Sequence, residues 1–372
     1  MHIGCPKEVK PQEYRVGLTP QAAHEAVGHG HRVTVEAGAG AGAGFADDDY
    51  VAAGARIAAD AAAVWAGADL VIKVKEPQAD ELPLLREGQV LFAYLHLAPD
   101  PALTAALCAT GATCIAYETV TDARGGLPLL APMSEVAGRL APQVGAWTMQ
   151  RANGGCGVLL GGVPGVRPAN VLVIGGGVVG TAAARVSAGM SANVTVLDRS
   201  LPRLNYLDDI FMGRLTTQFA DAASLAELLP QADLVIGAVL VPGAATPRLV
   251  RREQLAGMRA GSVLVDVAID QGGCFETSRP TTHHDPIYEV DGVLHYCVTN
   301  MPGAVSRTST LALGNATLPF LLALADRGWR AACTADPHLR RGLNIHAGHV
   351  TCAAVAEAQG LEVHPAEAVL GV

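Results

Sequence analysis

Short continuous apolar runs alternate with Ala-rich stretches of helical period along almost the whole chain. Arg32 to Glu36, Asp69 to Lys75, Val90 to Tyr94 and Ala112 to Tyr117 predict one series of strands. Asn170 to Ile174, Asn193 to Asp198, Asp233 to Val239 and Ser262 to Ile269 predict a second. Between them, Pro20 to Gly28, Asp100 to Thr110, Gly180 to Gly189 and Ser224 to Pro230 read as helices. Strands that are apolar throughout, with helices between them, belong to parallel sheets buried on both faces. The expected fold class is therefore α/β, with two doubly wound domains built on parallel sheets.

Two Gly/Pro-rich stretches mark seams, Gly125 to Pro128 and Gly154 to Pro168, and the first is followed by a helical run from Ser134 to Arg151. After Met301-Pro302-Gly303 the chain turns helical through Thr308 to Arg327, and its tail shows no new strand series. Such a tail is expected to pack back on an existing domain. This predicts a discontinuous first domain, 1–128 plus 307–372, with a second domain, 129–306, inserted in it.

Composition narrows the function classes. At 372 residues two domains are expected, and 16% charged residues against 50% hydrophobic ones exclude general disorder. A net charge of -9 with scattered Lys and Arg, and only 4% aromatic residues, argues against a nucleic-acid partner. No apolar run is counted at the roughly 18 to 20 residues of a membrane helix, and charge stands where a secretory signal would have its apolar core. These features predict a cytoplasmic protein with no membrane partner. The eight cysteines contain no Cys-x-x-Cys pair and read as buried free thiols. His283-His284-Asp285 and the pair His346 and His349 lack a further ligand at metal spacing, so no metal is expected.

The strongest local signal is Val171-Leu172-Val173-Ile174 followed by Gly175-Gly176-Gly177-Val178-Val179-Gly180. A strand, G-x-G-x-x-G and a helix are the nucleotide-binding turn of Rossmann-like domains. Gly175 serves the tight turn, Gly177 lets backbone approach the pyrophosphate, and Gly180 lets helix pack on strand. The phosphates then meet the helix N-terminus. The next strand ends in Asp198, about 20 residues past the glycines, where an acid binds the ribose 2′-hydroxyl and selects NAD over NADP. Gly38 to Gly44 also follows a strand but has neither the glycine offsets nor the later acid, and reads as a flexible loop.

Four further residues carry candidate chemistry. Arg15 lies in a polar loop before the first helix, and Lys75 ends a strand; alone, each reads as a solvated surface charge. His96 follows the strand ending at Leu95, and Asp270 follows the run ending at Ile269.

These residues sit in motifs that resemble alanine dehydrogenases. The motifs are Ile3-Gly4-Cys5-Pro6-Lys7-Glu8 through Arg15-Val16, Lys73 to Pro77, Ala93-Tyr94-Leu95-His96-Leu97-Ala98 and Ala131 to Gly138. Asp266 to Gly273 and Asn300 to Val305 complete the set, in order over nearly the whole chain. The wider family includes the nucleotide-binding subunit of proton-translocating transhydrogenase and lysine-forming saccharopine dehydrogenase. A pump subunit without a substrate of its own would lose the carboxylate-binding and acid/base residues, whereas Arg15, Lys75, His96 and Asp270 are all present.

The resemblance implies the reversible conversion of L-alanine, NAD+ and water to pyruvate, ammonium and NADH. It gives Arg15 and Lys75 to the substrate, His96 to acid/base catalysis, and Asp270 to support of the attacking water. Glu118, Met133 and Asn300 match pocket-region motifs without an assigned step. Cofactor contacts implied in the same way are Ser134, Gly175, Gly177, Val178, Val179, Gly180, Asp198, Arg203, Val239, Val267, Ile269, Asp270, Val298 and Met301. A homo-hexamer is also implied. Pro202 is unusual for the family, and Ala220 stands where a serine is expected against adenosine.

Overall fold

The computed structural model describes residues 1–239 and 247–372. The chain divides into two compact units, Met1–Met133 with Val305–Val372, and Ser134–Ala304. The first seam falls in the first turn of the helix Ala131–Thr148, and the second in the 3-10 turn Met301–Val305.

Six parallel strands form most of the first unit's sheet: β1 (His2–Cys5), β2 (Arg32–Glu36), β3 (Arg56–Ala58), β4 (Leu70–Ile72), β5 (Val90–Ala93) and β6 (Thr113–Ala116). The second unit carries β7 (Asn170–Ile174), β8 (Asn193–Asp198), β9 (Thr216–Phe219), β10 (Leu234–Gly237), β11 (Val263–Asp266), β12 (Ile287–Val290) and β13 (Val293–Tyr296). The tail contributes β14 (Leu343–His346) and β15 (His349–Val350).

The two sheets run β15-β14-β6-β5-β4-β1-β2-β3 and β12-β13-β11-β10-β7-β8-β9. Within both, the parallel strands follow the doubly wound order 3-2-1-4-5-6, and ligands of such sheets bind beyond the strand C-termini where that order reverses. The switch points lie between β1 and β4 in one unit and between β7 and β10 in the other. Central strands are buried from end to end, which is why they read as unbroken apolar runs.

Local chemistry sets the helices. Thr19 caps the helix Pro20–Gly28 by accepting the Ala22 N–H at 3.1 Å, Pro20 opens it, and Ala22, Ala23 and Ala26 form its buried face. The helix Val178–Gly189 buries Ala182, Ala183 and Ala184, small side chains that let it lie close on the sheet.

Three expectations need correction. The tail does hold strands: β14 pairs antiparallel with β6 and with β15, so it completes the first sheet rather than only covering it. These strands are short and partly polar, too brief for an apolar run to stand out. The loop Gly38 to Gly44 is pinned, because Ser306 Oγ donates to Gly42 O at 2.7 Å and Arg307 Nη1 donates to Ala43 O and Gly44 O. Arg307 also stacks over Phe45 at 4.9 Å. Third, Met301–Arg327 is long and apolar enough to cross a membrane, with mean hydropathy 1.4 over its most apolar window. Interspersed Ser, Thr, Gly and Asn hide that run from a count of consecutive apolar residues. Within the first unit Leu313, Leu321 and Leu324 of this helix are buried.

All eight cysteines are free thiols, five of them buried. Among the described residues no three His, Cys, Asp or Glu side chains converge as metal ligands do. His346 instead meets Thr113 and Arg330, and His283 meets the Asn300 carbonyl.

Candidate active site

In the first unit, the C-terminal ends of β1, β4, β5 and β6 carry the candidate residues. Beyond β1, Arg15 is 2% exposed and so is no surface charge. Its Nε donates to Glu13 Oε1 at 2.7 Å, its Nη2 to Glu13 Oε2 at 2.5 Å, and its Nη1 to Met133 Sδ at 3.0 Å. A buried guanidinium is tolerated because a bidentate carboxylate compensates its charge. Burial alone would depress the Arg15 pKa, but Glu13 outweighs it and drives the shift upward.

Across the switch point, Glu8 ties β1 to the end of β4. Its Oε1 accepts the Val74 N–H at 2.6 Å and the Lys75 N–H at 3.4 Å. Its Oε2 meets Lys73 Nζ at 3.1 Å, and Glu81 meets the same ammonium at 2.8 Å. Lys73 has no exposed side-chain surface. Burial would lower its pKa, but the two carboxylates outweigh that and push it up to about 12. Lys75, the next side chain on the same edge, is half-buried.

His96 lies three residues past β5, with left-handed φ of 50°. Glu118, just past β6, holds this conformation by accepting the His96 N–H at 2.6 Å and the Leu95 N–H at 3.1 Å. The buried Tyr94 lies beside the His96 ring at 5.8 Å, and its hydroxyl bonds Leu129 O. Burial dominates its raised pKa, with Arg15 acting against that shift and Glu118 with it. Arg15, Lys75, His96 and Glu118 thus lie past the C-terminal ends of the neighbouring strands β1, β4, β5 and β6, with Met133 of the helix Ala131–Thr148 against Arg15.

The second unit holds the glycine turn and Asp270. Gly175 takes φ of 99°, open to glycine at little cost, and a Cβ there would lie 2.9 Å from Ala238 O. A Cβ on Gly180 would lie 1.8 Å from Gly175 O, so the helix can close on its strand only with glycine at that position. Gly177 caps the helix Val178–Gly189, and a Cβ there would meet no atom of the described residues within 4 Å, while Val178 is exposed and Val179 buried. Asp198 ends β8, accepting the Gly176 N–H at 2.7 Å and the Ser200 N–H at 2.8 Å.

Arg203 buttresses the same turn, donating to Gly176 O and, at 2.6 Å, to Thr181 Oγ1. The unusual Pro202 sits in the first turn of the helix Leu201–Phe211, capped by Ser200, where a missing N–H costs nothing. Gly175, Asp198, Arg199, Ala220, Val239 and Arg248 line a cavity of about 710 Å³. Arg199 and Ala220 therefore both border the space beside Asp198.

Asp270 does not end a strand as expected. β11 stops at Asp266, and Asp270 is exposed on the 3-10 turn Ile269–Gln271. The buried Asp266 carboxylate causes the break, accepting the N–H groups of Ala268 at 3.1 Å and Cys274 at 2.8 Å and the Ser278 hydroxyl at 2.5 Å. Burial raises its pKa against these bonds. On the same loop Val267 donates to Gly237 O, and Ile269 is buried. Val298 and Met301 are buried beyond β13, and Ser134 is half-buried in its helix.

Sequence reasoning missed Glu13, Glu8 with Lys73 and Glu81, and Glu76, whose carboxylate faces Lys10 and His96. Glu13 alone carried a signal, a carboxylate two residues before an arginine.

Comparison with known proteins agrees over the full length. The profile described as "Alanine dehydrogenase/PNT, N-terminal domain" matches residues 4–137, and "Alanine dehydrogenase/PNT, C-terminal domain" matches residues 141–353. The alanine dehydrogenase of Halomonas elongata is 62% identical over 371 residues, covering 100% of both chains. A solved L-alanine dehydrogenase superimposes with TM-score 0.94 at 50% identity, covering 97% of this chain and 99% of the other. The transhydrogenase from Sinorhizobium meliloti gives TM-score 0.81 at 27% identity, covering 95% and 100%. On domain profiles, sequence and fold together, the chain belongs to the alanine dehydrogenase/PNT family.

Proposed function

We propose that the protein is an NAD-dependent alanine dehydrogenase that interconverts L-alanine and pyruvate with release or uptake of ammonium. The observation that supports this reading is that Arg15, Lys75 and His96 follow the neighbouring strands β1, β4 and β5, in a chain whose relatives bear that name. The first unit is read as the substrate domain and the second as the nucleotide domain. A cytoplasmic homo-hexamer is part of the same reading.

The second unit's residues fit the nucleotide. The left-handed turn at Gly175, the open face of Gly177 and the first N–H groups of the following helix suit a pyrophosphate. Asp198 suits a ribose diol, Arg203 holds the turn, and the cavity beside them suits the adenosine. NAD+, when bound, supplies the acceptor for the hydride leaving the alanine Cα.

The protein's residues supply the rest. Arg15 neutralises the substrate carboxylate. Glu13 holds its Nε–Nη2 edge and so fixes the plane of the guanidinium. Lys75 lies on the same edge to polarise the carbonyl of pyruvate. Loss of hydride leaves an iminium on the substrate, which water must attack. His96 takes the proton of that water, and Asp270 supports the water and the carbinolamine that forms. Histidine suits this step because its ordinary pKa lies near neutrality.

Two experiments test the reading. Wild-type protein should bind NADH more tightly than NADPH, and Asp198→Ala should weaken NADH by about 1.5 to 3 kcal/mol, the range for hydrogen bonds to a charged acceptor. Equal wild-type affinity for both nucleotides removes the specificity claim. Arg15→Lys keeps the charge but loses the planar group that Glu13 orients, so pyruvate binding should weaken at least about tenfold. Unchanged pyruvate affinity places the substrate elsewhere.

A further inference from the structure

We infer that Glu76 is a positioning residue for His96, holding the ring so that Nδ1 carries its proton and Nε2 faces the substrate. The inference rests on His96 being the acid/base group proposed above. Glu76 lies four residues past β4, beside Lys75, and its side chain is 13% exposed. Its Oε1 pairs with Lys10 and lies 3.4 Å from Gln78 Nε2. Its Oε2 is buried without a hydrogen-bond partner among the described residues, and it lies 3.6 Å from His96 Nδ1.

That arrangement is incomplete in an informative way. A buried carboxylate oxygen left without a donor is destabilising, and a shift of the His96 ring by a few tenths of an ångström would satisfy it. Catalytic hydrogen bonds are commonly long before substrate binds and shorten afterwards. The main chain of His96 is held by Glu118, so the ring is the part left to move. An imidazole whose Nδ1–H faces a carboxylate has its other nitrogen fixed as a base and its proton affinity raised.

The carboxylate is itself kept charged. Burial acts to raise the Glu76 pKa, but His96, Lys10 and Lys75 outweigh it and hold the group well below the usual carboxylate range. Among the described residues the other groups at His96 are Glu118, at the backbone N–H, and Tyr94. Neither meets Nδ1, so Glu76 is the carboxylate that sets the tautomer.

The test compares Glu76→Gln, Glu76→Asp and His96→Ala in the full-length enzyme. NMR titration follows the His96 ring, and the pH profile of kcat/KM follows alanine oxidation. Removing the charge should lower the ring pKa and the acidic limb of the profile together by about one unit. We expect kcat to fall about tenfold with nucleotide KM unchanged, and Glu76→Asp to recover most of both. If His96→Ala abolishes turnover but Glu76→Gln leaves ring pKa and profile as in the wild type, the inference falls and the functional reading stands. If His96→Ala keeps near-normal turnover, both fall.

Discussion

His96→Ala and Asp270→Asn are each expected to lower kcat for alanine oxidation by at least about 10², the lower range for a positioned acid/base group. NADH affinity should be nearly unchanged in His96→Ala, because His96 is not among the implied cofactor contacts, whereas Asp270 is. On the proposed roles, in which both groups serve the attack of water and the proton transfer that follows, the double mutant should lose less than the product of the two single losses. Steady-state kinetics with a separate NADH titration reads all three variants. A double loss equal to the product of the singles would show independent roles. A His96 variant with near-normal turnover would end its assignment. Asp270→Asn keeps the size of the side chain, and the loop depends on Asp266 rather than Asp270, so a large loss there reports chemistry and not loop collapse.

The largest stability effect is expected at a residue outside the reaction. Lys73 has no exposed side-chain surface and neutralises Glu8 and Glu81, so Lys73→Ala strands two buried carboxylates. Breaking a buried ion pair from one side costs about 3 to 5 kcal/mol. Glu8 also binds the Val74 and Lys75 backbone, so the loss should loosen the end of β4 that presents Lys75. Urea unfolding of the variant tests this, and a loss below about 1 kcal/mol would refute it. The pH dependence has a definite sign. The folded-state pKa is raised from 10.5 to about 12, so the lysine's contribution is complete below 10.5 and disappears as pH rises through about 12.

Which parts of this were legible follows from what a linear sequence encodes. β2, β7 and β8 fall on their expected bounds because long runs with sharp polar ends state their own limits. β3 and β9 went unread because three or four residues with exposed polar members give no continuous apolar signal. The glycine turn was legible because each glycine answers a backbone demand of a local motif. Asp270 reads as following directly on a strand because the apolar run continues to Ile269, whereas Asp266 diverts the backbone through bonds to residues 2 to 12 positions ahead. Arg15 read as surface because its burial depends on Met133, 118 residues away. Glu76 was silent for the same reason, since the fold alone brings it to His96.

The pairing of β14 with β6 has a consequence for how the chain is made. Ile115 on β6 pairs with Leu343, so the first unit's sheet lacks its neighbour there until the whole second unit has been made. At about 5 to 20 residues per second, the partner emerges on the order of 10 to 50 seconds after β6 itself. The second unit is continuous in sequence and meets no such wait. For that interval the nascent chain displays Thr113-Cys114-Ile115-Ala116 as an open, apolar strand edge, the kind of surface that templates pairing between chains. Chaperone demand during translation is therefore written into the order of the strands: the segment that pairs with β6 is made only after the whole inserted unit.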